Sequence, residues 1–198
     1  MTKNEIQEQR MRGYFIDATR SILKSEGLKV VSARNVAEIA GYSYATLYNY
    51  FKDIKELIFE CVLGFQDECT AFVDSQTAAM EPGIPKIRSI AISYMKYFVE
   101  YPGIFELFFI ESPGDLGNKQ PTVDHINTFL NRLCEKDWQY ALSKGLISEA
   151  KVEQLKYQLK YVTTGMLMFY LHRREPVEYS DFIKRAEDQI SAIFMITE

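Results

Sequence analysis

The stretch from Val31 to Ile58 reads VSARNVAEIAGYSYATLYNYFKDIKELI, and its punctuation decides how the chain begins. Ser32 stands just before an apolar run and is a good N-cap, because its hydroxyl accepts a backbone N–H that a first helical turn leaves unsatisfied. The helix it opens carries Val36, Ile39 and Ala40 inward and stops at Gly41, a residue that enters left-handed backbone at no steric cost. Ser43 caps a second short helix, Tyr44 to about Phe51. That helix buries Leu47 and Phe51 and leaves Tyr44, Ala45, Tyr48 and Asn49 to the outside. Asp53 then caps a longer helix in which Ile54, Leu57, Ile58, Cys61, Val62 and Phe65 recur at the helical period.

Upstream, Phe15, Ala18, Ile22 and Leu23 share one face of a helix from about Gln7 to Glu26, ended by Gly27. A long helix followed by two short ones around a tight turn is the anatomy of a helix-turn-helix, although three-helix cores of this kind also occur without DNA. Downstream the pattern stays helical. Ile87, Ile90, Tyr94, Phe98 and Tyr101 align over about Lys86–Tyr101, where Pro102 and Gly103 end the run, and a brief aromatic helix follows over Ile104 to about Glu111. Beyond the loop SPGDLGNKQP come helices at about Thr122–Lys144 and Ser148–Arg173 and one after Tyr179. The expectation is an all-α chain of about nine helices, with a three-helix domain of helix-turn-helix form at 1–53 and a helical bundle at 54–198.

The composition suits that reading. Of 198 residues 47% are hydrophobic and 25% charged, a balance that excludes disorder. The longest apolar run, Met166–Leu171, is far shorter than the roughly 18 residues that cross a bilayer, and no secretory leader is visible, so a cytoplasmic protein without a membrane partner is expected. Cys61, Cys69 and Cys134 lack metal-binding spacing and are expected as buried free thiols, with no metal and no cofactor. The net charge of −4 speaks against nucleic acid only as an average. Residues 1–52 carry a local +3 and the remainder −7.

The residues of the quoted stretch say more than their spacing. The V-A-x-I-A-G of Val36–Gly41, the S-x-A-T-L-Y-x-Y-F of Ser43–Phe51 and the K-x-x-K-E-L of Lys52–Leu57 resemble the DNA-binding segment of the TetR (tetracycline repressor) family of transcriptional regulators. The resemblance covers about 50 residues. It implies a recognition helix in the major groove, phosphate contacts from the start of the helix before it and from the helix after it, and a dimer. Carried over position by position, Ala33 and Arg34 match the start of the second helix. Tyr44, Ala45, Thr46, Tyr48, Asn49 and Tyr50 match the recognition contacts, and Lys52 and Lys55 the phosphate contacts that follow. Arg34 suits a guanine edge and Asn49 an adenine, whereas the tyrosine hydroxyls and Thr46 suit phosphates. Packing of Tyr48 and Tyr50 into the three-helix core is the competing reading. Ile54 departs from the family, which usually has Lys there.

In the second half an aromatic-rich set includes Tyr94, Phe98, Phe105, Phe109 and Trp138, most of it core. Some of these, with His125 as a polar anchor and with Tyr161 and Phe169, are the candidates for an effector pocket, for which an apolar or aromatic small molecule is expected. Val152, Leu155, Leu159, Val162 and Met166 on one long helix, and Ile183, Ala186, Ile190 and Ile193 on the last, are spaced by three and four. Such stripes either close the chain's own core or meet a second copy in a four-helix interface, and the resemblance favours the second.

No nucleophile elbow, phosphate-cradling glycine loop or zinc motif is present, and only two His occur, so an enzyme is not expected. The expectation is a DNA-binding regulator, a repressor that meets a palindromic operator as a homodimer under control of a small molecule. The alternative is a helical small-molecule-binding or interaction protein without DNA binding.

Overall fold

The first helix is longer than the apolar stripe suggests because a capping box starts it early. In the computed structural model, which describes residues 2–111 and 120–195, the Thr2 hydroxyl accepts from the Glu5 N–H while the Glu5 carboxylate accepts from the Thr2 N–H. The helix α1 therefore spans Lys3–Ser25. A single 3-10 turn, Leu28–Val30, leads into α2 (Ala33–Ala40), α3 (Tyr44–Leu47) and α4 (Ile54–Thr77). Then follow α5 (Ile84–Glu100), α6 (Pro102–Phe109), α7 (Gln120–Leu133), α8 (Glu135–Ser143), α9 (Glu149–Arg173) and α10 (Tyr179–Met195). Among the described residues there are helices and turns and no strand. None of the helices found there is long and apolar enough to cross a membrane. The expected loop SPGDLGNKQP falls mostly on residues 112–119, outside the described ones.

Among the described residues ten helices stand where about nine were expected. The helix read as running to Lys144 is interrupted at Cys134, whose ψ of −3° leaves the helical range. Neither Gly nor Pro occurs there, so nothing in the local sequence signals the break. Pro102 and Gly103 do not simply end α5. Pro102 occupies the first turn of α6, where its missing N–H costs nothing.

The chain divides into two compact units, residues 1–67 with 101–126, and residues 68–100 with 127–198. In the first, Phe15, Ala18 and Ile22 of α1 pack on Val36 and Ala37 of α2, Leu47, Phe51, and Leu57 of α4. The stripe that α2 turns to the core is Ala33, Val36, Ala37 and Ala40, which share a single face over two turns. Ile39 was expected inward and lies outside that stripe, 55% exposed. Gly103 on α6 sits so close to α1 that a Cβ there would be driven into the Leu23 carbonyl oxygen. In the second unit α5 packs against α8, α9 and α10. Its core holds Tyr94, Phe98, Phe129, Trp138, Leu155, Leu159 and Phe182. The buried Asp137 carboxylate accepts the Gly83 N–H at 3.0 Å, which ties α8 to the turn before α5. All three thiols are free and buried, and burial pushes the Cys61 thiol up to about 12.

Candidate nucleic-acid interface

The turn between α2 and α3 is built from three local devices. The Ser32 hydroxyl accepts the Asn35 N–H at 3.2 Å and so closes the start of α2, while the Asn35 side chain returns to the Val30 carbonyl at 2.9 Å. Gly41 ends α2 at φ 76°, ψ 26°, the left-handed region that glycine enters freely. The Ser43 hydroxyl then accepts the Thr46 N–H at 3.1 Å and pairs with the Thr46 hydroxyl at 2.8 Å. These caps fix where α3 begins and which way it faces.

Beyond Leu47 the chain tightens. Asn49 N–H reaches the Thr46 carbonyl and Tyr50 N–H the Leu47 carbonyl, both three residues back, so regular helix stops sooner than the expected Phe51. The chain then turns into α4, where Asp53 Oδ1 accepts the Glu56 N–H at 2.7 Å and the Glu56 carboxylate accepts the Lys52 N–H at 2.8 Å. Arg12 holds this corner from behind. Its guanidinium donates to the Tyr50 carbonyl, lies 3.6 Å from Glu60 and rests 4.2 Å from the centre of the Phe51 ring. Arg20 and Lys24 of α1 likewise lie over the Phe65 ring, and Lys24 also over Tyr101. Three of the cations in the basic N-terminal segment therefore serve packing inside this unit, which leaves less charge for a phosphate backbone than the count of +3 suggests.

The outward face contains most of the expected DNA contacts. Tyr44 is 58% and Tyr48 50% exposed, and Ala45, Asn49, Arg34, Lys52 and Lys55 are exposed as well. Thr46 is half-buried, with its hydroxyl engaged by Ser43. Ala33 and Tyr50 are drawn inward against the three-helix core, Tyr50 with its ring tilted on Phe15. Ile54 packs on the same core. The replacement of a family lysine there is thus spent on packing, with exposed Lys52 and Lys55 on either side. Sequence reasoning missed Tyr42, half-exposed in the turn and stacked on the exposed Tyr14 at 5.9 Å. The signal was available, since Tyr42 lies between the two caps.

Residues 15–61 match the family described as bacterial regulatory proteins, tetR family. Residues 15–61 are thus a domain of the TetR type. Its helix-turn-helix is the DNA-binding part of a transcription regulator. No curated protein matches the chain. Among solved structures, a TetR family transcription regulator from Marinobacter aquaeolei is 16% identical, covering 97% of this chain and 98% of its own, with a TM-score of 0.67. A tetR-family transcriptional regulator from Streptomyces coelicolor is also 16% identical, with a TM-score of 0.67 over 93% of this chain and 79% of its own. RolR in complex with its ligand resorcinol is 13% identical, with a TM-score of 0.69 over 98% of this chain and 90% of its own. At these identities the likeness is one of fold.

The remaining expected sites are distributed over both units. Phe105, Phe109 and His125 belong to the first unit, whereas Tyr94, Phe98, Trp138, Tyr161 and Phe169 belong to the second. Tyr94, Phe98, Phe105 and Trp138 are core, while Tyr161 and Phe169 are 64% and 56% exposed on the outside of α9. Of the stripe read as a dimer face, Val152, Leu155, Leu159, Ala186, Ile190 and Ile193 are buried by the chain's own packing. Only Val162, Met166 and Ile183 are partly open. The reason is geometric. A stripe spaced by three and four meets whichever surface lies opposite, and here α5 lies opposite both α9 and α10. Among the described residues no group of three or more His, Cys, Asp or Glu is placed to hold a metal.

Proposed function

We propose that the chain is a homodimeric repressor that binds a palindromic operator through residues 1–53 and is released by a small-molecule effector held within residues 54–198. One observation carries the DNA contacts. In α3 the core position Leu47 is fully buried while Tyr44, and Tyr48 and Asn49 in the turn that follows, which the core does not use, stand open beside it. A helix presented in this way fits a major groove, where Asn49 reads adenine, Arg34 reads guanine, and Lys52 and Lys55 hold phosphates. The regulator works in the cytoplasm, with the DNA it binds.

The dimer reading is supported by the other side of α9. Tyr161, Gly165, Phe169 and Met166 line one open apolar groove together with Phe182 of α10, a surface that water would otherwise cover. Two recognition helices must reach grooves about 34 to 36 Å apart, which one chain cannot do alone. Gel-shift titration on the DNA upstream of its own gene tests the reading. Binding at least about a thousandfold tighter than to random DNA is expected of a specific regulator, and equal affinity for both sinks it. Phe169→Asp should turn the dimer into a monomer in sedimentation and abolish the specific complex.

A further inference from the structure

The helix α5 has two useful faces. Its apolar stripe, Ile87, Ile90, Tyr94 and Phe98, is buried in the core of the second unit. The opposite stripe, Pro85, Arg88, Ser89, Ile92, Ser93 and Lys96, follows the same three-and-four spacing, and all six line one cavity of about 470 Å³. Gln76 at the end of α4, Met80 just beyond it, and Glu187 and Ile190 of α10 complete the wall. That volume is within the range of small-molecule sites, roughly 300 to 1,000 Å³.

Its electrostatics are one-sided. Arg88 and Lys96 are both partly buried, and among the described residues neither forms an ion pair with a carboxylate. Arg88 is held instead by a neutral group, donating to the Ser191 hydroxyl, which in turn donates to the Glu187 carbonyl. The guanidinium is thereby positioned without its charge being cancelled, and it keeps donors to spare. Glu187 is the sole acidic side chain in the wall, so the lining carries one net positive charge. Two cations in one concave wall, neither tied to a carboxylate, attract an anion that enters. Arg88 and Lys96 are eight residues apart, about 12 Å along the helix axis, with Ile92 between them. Met80, Pro85 and Ile190 add apolar wall.

We infer that this cavity is a binding site for a small organic monoanion with an apolar body, in the simplest case a carboxylate whose head pairs with Arg88 or Lys96 while its chain lies along Ile92, Met80 and Ile190. The inference rests on the reading that residues 54–198 hold an effector, and adds the place and the chemical class.

Calorimetric titration of the full chain with octanoate, 1-octanol and acetate tests it. Octanoate should bind, and 1-octanol, of the same length without charge, should bind at least about tenfold more weakly, as loss of a charge-assisted hydrogen bond predicts. Acetate, with the charge and no body, should bind more weakly still. Lys96→Met, which breaks no hydrogen bond of the fold, and Arg88→Gln should each weaken octanoate by about tenfold while leaving 1-octanol unchanged. Equal binding of octanoate and 1-octanol, no binding of either, or variants that bind octanoate like the parent would each overturn the site. A gel shift run on the same samples separates the two readings. Octanoate that binds but leaves DNA affinity unmoved breaks the effector reading and keeps the site. The absence of octanoate binding removes the site and leaves the effector to be sought elsewhere.

Discussion

The helices α3 and α9 face the same problem and solve it differently. Each has one side covered and one side free. On α3 the covered side is a single residue, Leu47, and the direction of the free side is set by Ser43, Gly41 and Asp53 within a few residues. On α9 the covered side is Val152, Leu155, Leu159, Thr163 and Leu167, and what covers it is the next helix, α10, and α5, some fifty residues upstream. Local devices can be read from a sequence. A long amphipathic stripe states only that something apolar lies opposite.

Four changes would break or sharpen that contrast. Phe15→Ala should have the largest effect, because Phe15 is fully buried and touches Tyr42, Tyr50 and Phe51 at the centre of the three-helix core. A loss of about 3 to 5 kcal/mol is expected in urea unfolding, with specific DNA binding lost alongside. Leu159→Ala should follow at about 2 to 5 kcal/mol. If Leu159 belongs to the chain's own core, that loss is independent of protein concentration. A concentration-dependent loss would return the stripe to the dimer interface. Gly41→Ala meets open space, so its cost is backbone alone, about 1 to 2 kcal/mol for left-handed geometry. A loss of this size in thermal melts would show that the turn itself orients α3. Asn49→Ala should be the smallest in stability, within about 0.5 kcal/mol, and the largest in selectivity, about 1 to 3 kcal/mol between the preferred operator base and others.

The thiols offer a check that spans both kinds of region. With its thiol pushed up to about 12 by burial, Cys61 contributes stability in full below its ordinary value near 9 and loses it as pH rises toward 12. Cys69 and Cys134 shift in the same direction for the same reason. All three should resist a thiol reagent at pH 8 until the chain is unfolded. Fast labelling of one in the native protein would mean that its helix opens readily.

What the sequence made legible follows the same division. The helix-turn-helix was readable down to its caps, because Ser32, Gly41, Ser43 and Asp53 act on backbone groups within four residues. Ile39 was misplaced since three residues of stripe are too few to fix a phase, and Ala33 and Ala37 carried the missing part of it. The break at Cys134 was hidden for want of any breaker residue. The expected effector residues are mostly aromatic, and aromatic side chains go first to the core. The cavity beside α5 is lined by serines, a lysine and an arginine that look like a solvated face until α10 is laid across them. Arg12, counted as part of a basic surface, turned out to be a brace for the Tyr50 carbonyl.

The brevity of α3 has one further consequence, which concerns information. The open residues from Tyr44 to Asn49 span about 9 Å, which at 3.4 Å per base pair is room for two or three. Three positions distinguish about 64 sequences, whereas a genome offers roughly 10⁶ or more competing sites. Two such reading heads held at a fixed distance multiply their selectivities, since mismatch costs add when positions are well separated. In the proposed dimer the address is therefore two short words at a fixed spacing, and a change that alters the spacing misdirects the protein as surely as one that alters a word.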